Sequence, residues 1–254
     1  MVNNVALSVD GLTFGYRNAL YTPLSFDCRR GEVCAILGAN GRGKTSLLNT
    51  LTGVLPLLSG KISRSAPIGF VAQSFSTAFA YRVVDIVLMG RVNSIGLLQQ
   101  PTRKDETIAQ EALRTLGIEH LAECDFQTLS GGQRQLAMIA RALATGCEML
   151  ILDEPTSALD LFNQQAVLRL VCQLAQERQI SVLFTTHDPA HAHLVAHKCL
   201  MLLDGKRWAY GVTQEMLTEA NLLMAYGVRV ERASVLSDGQ RYEVLTPLFE
   251  IAHD

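Results

Sequence analysis

The segment Gly38-Ala39-Asn40-Gly41-Arg42-Gly43-Lys44-Thr45 satisfies the pattern G-x-x-x-x-G-K-[ST] at each fixed position, and no other stretch restricts the fold as strongly. Such a loop works between a buried strand and a helix N-terminus, where its backbone N–H groups converge on a polyphosphate. The flanks meet that demand. Val33 to Leu37 is a short apolar run that predicts a buried strand, and Thr45 to Leu51 is apolar enough for a packed helix. Glycine lets the backbone close around phosphate. The ligand class that follows is a nucleoside triphosphate with Mg2+, with Lys44 reaching the outer phosphates and the Thr45 hydroxyl on the metal.

The rest of the chain supplies a matching α/β order. From Val5 to Gly31 apolar alternation predicts antiparallel strands, with turns expected at Asp10-Gly11 and Arg30-Gly31. A Gly-containing connection leads to a strand from Ile68 to Ala72 that ends at Gln73. Between Ser74 and Gly146 the apolar spacing becomes helical, which predicts a helical lobe inserted into the core. Strand character returns at Met149–Leu152, followed by a helix over about 161–177 and a strand over 180–184. Strand, helix, strand in that order implies a parallel sheet with right-handed crossovers. Short strands past Lys198, a helical stretch near 214–226 and a hairpin at Asp238-Gly239 complete the reading.

Composition narrows the function classes. The 254 residues suffice for a sizeable core, and 48% hydrophobic content suits strands covered on both faces. Basic and acidic residues nearly balance at 22 against 24, so no nucleic-acid footprint is indicated. No run approaches the roughly 20 apolar residues needed to span a bilayer, and Met1 to Asp10 does not resemble a secretion signal. A cytoplasmic chain is expected, reaching a membrane only through a partner. The six cysteines lack C-x-x-C spacing and are expected to be reduced, mostly buried, and free of disulfides or zinc.

Two further stretches carry chemistry. Met149-Leu150-Ile151-Leu152-Asp153-Glu154 sets carboxylates at the C-terminal edge of a strand, where open α/β sheets bind ligands. Asp153 suits Mg2+, and Glu154 suits a base for the water that attacks the γ-phosphate. Leu129-Ser130-Gly131-Gly132-Gln133 opens a helix. Its S-x-x-Q spacing is that of a capping box, and its two glycines leave bare N–H groups of the kind a phosphate binds.

Together these stretches resemble the ABC transporter ATPases. The glycine-rich loop, Gln73, Leu129 to Gln133, Leu152-Asp153-Glu154-Pro155, Ser157-Ala158-Leu159-Asp160 and His187 stand in that family's order over nearly the whole chain. The resemblance implies a P-loop NTPase (RecA-like) α/β core with an antiparallel β subdomain and an inserted α-helical subdomain. One such domain would span 1–254, with the helical part about 74–147 and a C-terminal extension about 211–254. It implies a head-to-tail homodimer binding ATP and Mg2+. In that dimer Gly38, Ala39, Asn40, Gly41, Arg42, Gly43, Lys44, Thr45 and Ser46 would hold ATP with Tyr16 against the adenine. Ser130, Gly131, Gly132, Gln133 and Asp160 would reach a nucleotide in trans. Thr45, Gln73 and Asp153 would serve Mg2+, and Glu154, His187 and Lys44 would carry catalysis. Phe14, two residues from Tyr16 and expected on the same strand face, is the other candidate for adenine stacking.

The segment from Phe79 to Arg91 and the tail around Tyr226-Gly227-Val228 are similar to the metal-chelate group of bacterial importers, which handles iron-siderophores, haem, vitamin B12 and molybdate. That likeness implies membrane permease subunits, a substrate-binding protein acting indirectly, no nucleic-acid partner, and a place at the cytoplasmic face of the inner membrane. Phe75, Phe79 and Tyr81 would line a groove for the permease, with core packing as the alternative. A non-transport or exporter ABC ATPase is the rival reading. Two departures stand out: Ala39 replaces a proline often seen in the loop, and Arg42 adds charge where a small residue is usual. His193 and His197, at i,i+4, are a metal-pair alternative if both lie on the helix that Asp188-Pro189 starts.

Overall fold

The computed structural model describes residues 4–65, 67–75, 77, 79–95 and 100–249. Its strands are β1 Val5–Thr13, β2 Leu24–Arg29, β3 Val33–Leu37, β4 Ser59–Arg64, β5 Ile68–Val71, β6 Met149–Leu152, β7 Ser181–Thr186, β8 Lys198–Leu202, β9 Trp208–Val212, β10 Arg229–Ser237 and β11 Gln240–Leu248. Its α-helices are α1 Lys44–Thr52, α2 Val83–Leu88, α3 Arg103–Thr115, α4 Gly131–Leu143, α5 Leu161–Arg178, α6 Pro189–Val195, α7 Thr213–Met216 and α8 Glu219–Tyr226. Strands β5-β6-β7 are hydrogen-bonded in that order, as are β3-β8-β9, β2-β1-β4 and β10-β11. This is the mixed α/β architecture, with an antiparallel strand subdomain, that the motifs imply.

By internal contacts the chain divides into two compact units. The first comprises residues 1–7, 28–32 and 63–184, and the second residues 8–27, 33–62 and 185–254. In the first, β5, β6 and β7 run parallel, with Ile68 opposite Met149 and Met149 opposite Ser181. Every residue of β6 and β7 is buried, as expected for strands covered on both faces. Helices α2, α3 and α4 form the predicted helical block. A capping box between Thr102 and Asp105 starts α3, and the Asp105 carboxylate also accepts from Arg91 Nε at 3.1 Å. Phe75, half-buried, packs edge-on against Phe126 with the Arg141 guanidinium over its ring, so it is tied to this block. Phe79 is exposed, and Tyr81 meets it edge-on.

In the second unit β3 pairs parallel with β8, and β8 pairs antiparallel with β9. All five residues of β3 are buried. The hairpin β10–β11 turns through Asp238 and Gly239, both at positive φ (51° and 75°), the geometry of a two-residue hairpin loop.

Four expectations are corrected. Asp10-Gly11 is no turn, because β1 runs through it and the Gly11 N–H donates to Ser25 Oγ at 2.9 Å. The connection after the first helix contains β4, an exposed strand that joins the sheet beside β1 by backbone pairing. Phe14 does not share a strand face with Tyr16, since β1 stops at Thr13. His193 and His197 do not share a helix: α6 ends at Val195, and His197 Nδ1 instead accepts the Val33 N–H at 3.0 Å.

Candidate functional site

The second unit carries the phosphate loop. The loop leaves the end of β3 and enters α1, whose N-cap is Gly43 at φ 88°. A side chain at that position would be strained by the backbone and would meet Leu20 Cδ1. No side chain caps α1 and no acidic residue sits in its first turn. Gly43 has no side chain to cap this nine-residue helix, so its positive dipole end opens on the loop, the setting in which helix N-termini bind anions. Lys44 is 5% exposed, and its ammonium donates to the carbonyls of Gly38 at 2.8 Å and Ala39 at 3.3 Å. That arrangement holds a positive charge across the loop. A polyphosphate fits these residues.

Arg42, in the same loop, is ion-paired. Its Nη1 donates to Asp204 Oδ1 at 2.8 Å, and the Arg42 guanidinium holds the Asp204 carboxyl below the usual carboxylate range. The extra charge is matched by a carboxylate 162 residues away, a partner that no local pattern signals. The Tyr21 hydroxyl donates to the Arg42 carbonyl at 3.0 Å. Exposed pairs of this kind contribute about 0–1 kcal/mol. Arg42→Ser is therefore expected to change ATP affinity less than about threefold and to leave turnover measurable; a titration showing loss of binding would refute this.

Tyr16 and Phe14 separate cleanly. Phe14 is fully buried and stacked on Tyr21 at 5.9 Å, whereas Tyr16 is 75% exposed. The cause is the bend at Gly15, where φ is 146° and a Cβ would collide with the Asn18 carbonyl. Only Tyr16 presents a free ring face. His187 follows β7 at an exposed turn in the same unit. The Asp188 N–H donates to Thr186 Oγ1 at 3.0 Å, and Asp188 Oδ1 accepts from Ala190 N–H at 2.8 Å to start α6.

The first unit carries the carboxylates and the glycine pair. Asp153 is 2% exposed at the end of β6, with its N–H on the Val71 carbonyl at 2.9 Å. Glu154 has φ 46°, the left-handed region that a non-glycine residue rarely occupies. Its carbonyl accepts from both the N–H and the hydroxyl of Ser157, which fixes the turn. Strain of this kind concentrates at functional positions. Gln73 Nε2 donates to Glu154 Oε2 at 3.4 Å, so the residue after β5 and the residue after β6 are joined.

Ser130 caps α4 as the spacing predicts: its Oγ accepts from Gln133 N–H at 3.3 Å, and Gln133 Oε1 accepts from Ser130 N–H at 3.0 Å. Gly131 and Gly132 are left as the bare start of a 13-residue helix. Gly131 faces Leu159 and the Ala158 carbonyl, and a Cβ on Gly132 would occupy the place of the Asn163 amide. Asn163 in turn donates from its N–H and its Nδ2 to Asp160 Oδ1, at 2.8 and 2.9 Å. Asp160 therefore reaches the glycine pair through Asn163, a residue sequence reasoning passed over because it matches no motif. Ser130→Ala should cost about 1 kcal/mol of stability through the lost cap, read by urea unfolding; no change would leave Ser130 without its capping role.

With both halves described, comparison with known proteins is decisive. A family model for ABC transporter proteins matches residues 21–157. The chain belongs to the ABC transporter family. It is 48% identical over 221 residues to the molybdate import ATP-binding protein MolC of Haemophilus influenzae, covering 86% of this chain and 87% of that protein. It is 33% identical over 235 residues to the hemin import ATP-binding protein HmuV of Thermobifida fusca, covering 87% and 81%. Among solved structures, an inward-facing ABC transporter described as of metal-chelate type matches with a TM-score of 0.94 and 43% identity, over 97% of this chain and 99% of that one. As a member of the ABC transporter family the chain binds and hydrolyses ATP. Among its described residues no helix is long and apolar enough to cross a membrane.

Proposed function

We propose that this ABC ATPase energises uptake of a metal chelate or related complex, such as an iron-siderophore, haem, cobalamin, molybdate or tungstate, through separate membrane permease subunits. The observation that carries the ATP chemistry is the uncapped α1 N-terminus with the Lys44 ammonium folded across the loop. The import direction is supported by the relatives named for molybdate and hemin import.

In this reading Gly38 to Ser46 hold the phosphates by backbone N–H groups, Lys44 neutralises the outer ones, and Tyr16 stacks on adenine. Thr45, Gln73 and Asp153 offer a hydroxyl, an amide oxygen and a carboxylate, all hard oxygen donors that suit Mg2+. When bound, that ion would supply positive charge that offsets the charge of the phosphates. Glu154 accepts the proton of the attacking water, with its carboxylate oriented by Gln73. His187 steadies the γ-phosphate as it leaves. The exposed Ser130 and Gly131 at the start of α4, with Gly132, Gln133 and Asp160, complete the site of a second copy. Catalysis then comes from positioning and charge stabilisation.

The homodimer docks on the permease at the cytoplasmic face of the inner membrane, and a substrate-binding protein on the far side selects the cargo. Exposed Phe79 suits the permease contact. The test is purification of the chain expressed with its transport partners: a stable complex with a polytopic membrane protein supports the reading. A complex with ribosomes or DNA would overturn it in favour of a non-transport ATPase.

A further inference from the structure

The base of the β10–β11 hairpin carries an apolar wall that follows from strand alternation. Val230 pairs with Pro247, and Leu245 lies two residues before Pro247, so all three share one face. Val228 and Phe249 extend the same row past the strand ends. Val230 is 4% exposed and Phe249 72%, so the wall runs from a closed floor to an open mouth. Farther out, residues 232–243 are exposed on both faces of the hairpin. A two-stranded hairpin is marginal in water by itself, so this one depends on what its base packs against.

The wall borders a cavity of about 520 Å3, whose remaining lining comes from residues 187–190 and the end of α8. That size, with mostly apolar lining and a few polar groups to orient a ligand, is typical of small-molecule sites. The charge here is the Asp188 carboxylate; among the described residues no lysine or arginine lines the space. Asp188 is 43% exposed and has acceptor capacity to spare. Its Oδ1 accepts the Ala190 N–H at 2.8 Å and its Oδ2 lies 3.5 Å from His191 Nε2, whereas a carboxylate offers about four acceptor sites. Burial holds the His191 imidazole below its ordinary pKa, outweighing the pull of Asp188. His191 is therefore neutral at neutral pH and does not cancel the charge of the carboxylate.

We propose that this cavity binds a small amphipathic amine, with an aromatic or branched apolar body against the hairpin wall and an ammonium group on Asp188. Such an occupant fills the space between the hairpin base and the turn after β7, and so ties the two together. None of Gly38 to Ser46 lines the cavity, so the proposal does not depend on how the phosphate loop is read.

The test uses the full-length chain and three probes of similar shape in equilibrium dialysis at neutral pH: cationic tryptamine, neutral tryptophol and anionic indole-3-acetate. Tryptamine should bind saturably with a Kd of about 0.1–1 mM, a range that suits its size. Tryptophol should bind about tenfold more weakly, the scale of one hydrogen bond to a charged group, and indole-3-acetate should not compete. Asp188→Asn keeps an acceptor for the Ala190 N–H and should weaken tryptamine about tenfold. Phe249→Ala, at the exposed mouth, should weaken it about threefold to tenfold while Tm stays put. Asp238→Asn removes a carboxylate from the far end of the same hairpin and should leave the Kd unchanged. Absence of saturable tryptamine binding up to about 10 mM overturns the proposal. So does equally tight binding of indole-3-acetate, or wild-type affinity in both Asp188→Asn and Phe249→Ala. Displacement of tryptamine by ATP would also overturn it, by placing the amine in the nucleotide site. If Asp188→Asn lowers Tm sharply, the contrast between tryptamine and tryptophol on the wild-type chain decides.

Discussion

Glu154→Gln is expected to bind ATP and hydrolyse it at least about a hundredfold more slowly than wild type, the usual scale for losing a general base. The substitution keeps the side chain's shape and exchanges a proton acceptor for an amide. The strained backbone at φ 46° and the Ser157 contacts to the Glu154 carbonyl do not involve the side chain, so the turn survives. Gln73 can still donate to the new amide oxygen. ATP should then accumulate unhydrolysed and hold two copies together, which size-exclusion chromatography in ATP would reveal as a dimer. Hydrolysis at the wild-type rate would remove Glu154 from the role of base.

Lys44→Met should weaken ATP binding at least about a hundredfold, or roughly 2.8 kcal/mol at 1.4 kcal/mol per decade. The lysine is almost wholly buried, and its ammonium rests on the carbonyls of Gly38 and Ala39. Methionine retains the volume of the stem and removes the only formal charge that the loop lays over its own carbonyls. Volume-conserving exchanges of this kind cost under about 1.5 kcal/mol of stability, so Tm should move by a few degrees at most while nucleotide titration loses its signal. A variant that binds ATP as wild type would mean that the backbone N–H groups suffice alone.

Much of this fold is readable in the chain because its central strands are continuous apolar runs, a consequence of burial on both faces. β4 escaped notice because Ser59–Arg64 buries almost no side chain and joins its sheet through the backbone, which leaves no apolar periodicity. Asp10-Gly11 carries a strong turn signal that the sheet overrides by pairing β1 along its whole length. The histidine spacing at 193 and 197 suggests one helical face, but α6 stops short and the Val33 N–H claims His197.

The chain alone determined the ligand class and the family. The phosphate loop, Asp153-Glu154 and Ser130 to Gln133 are local devices, each working through a few adjacent backbone groups or side chains whose order is legible without any long-range contact. Tertiary structure decided which aromatic is free, Tyr16 or Phe14, and where the Arg42 charge goes. It also set Asn163 between Asp160 and Gly132. These outcomes depend on surfaces brought together across as many as 162 positions of sequence, from Arg42 to Asp204. A single residue's identity cannot encode which distant group will share its burial; packing assigns that when the core closes.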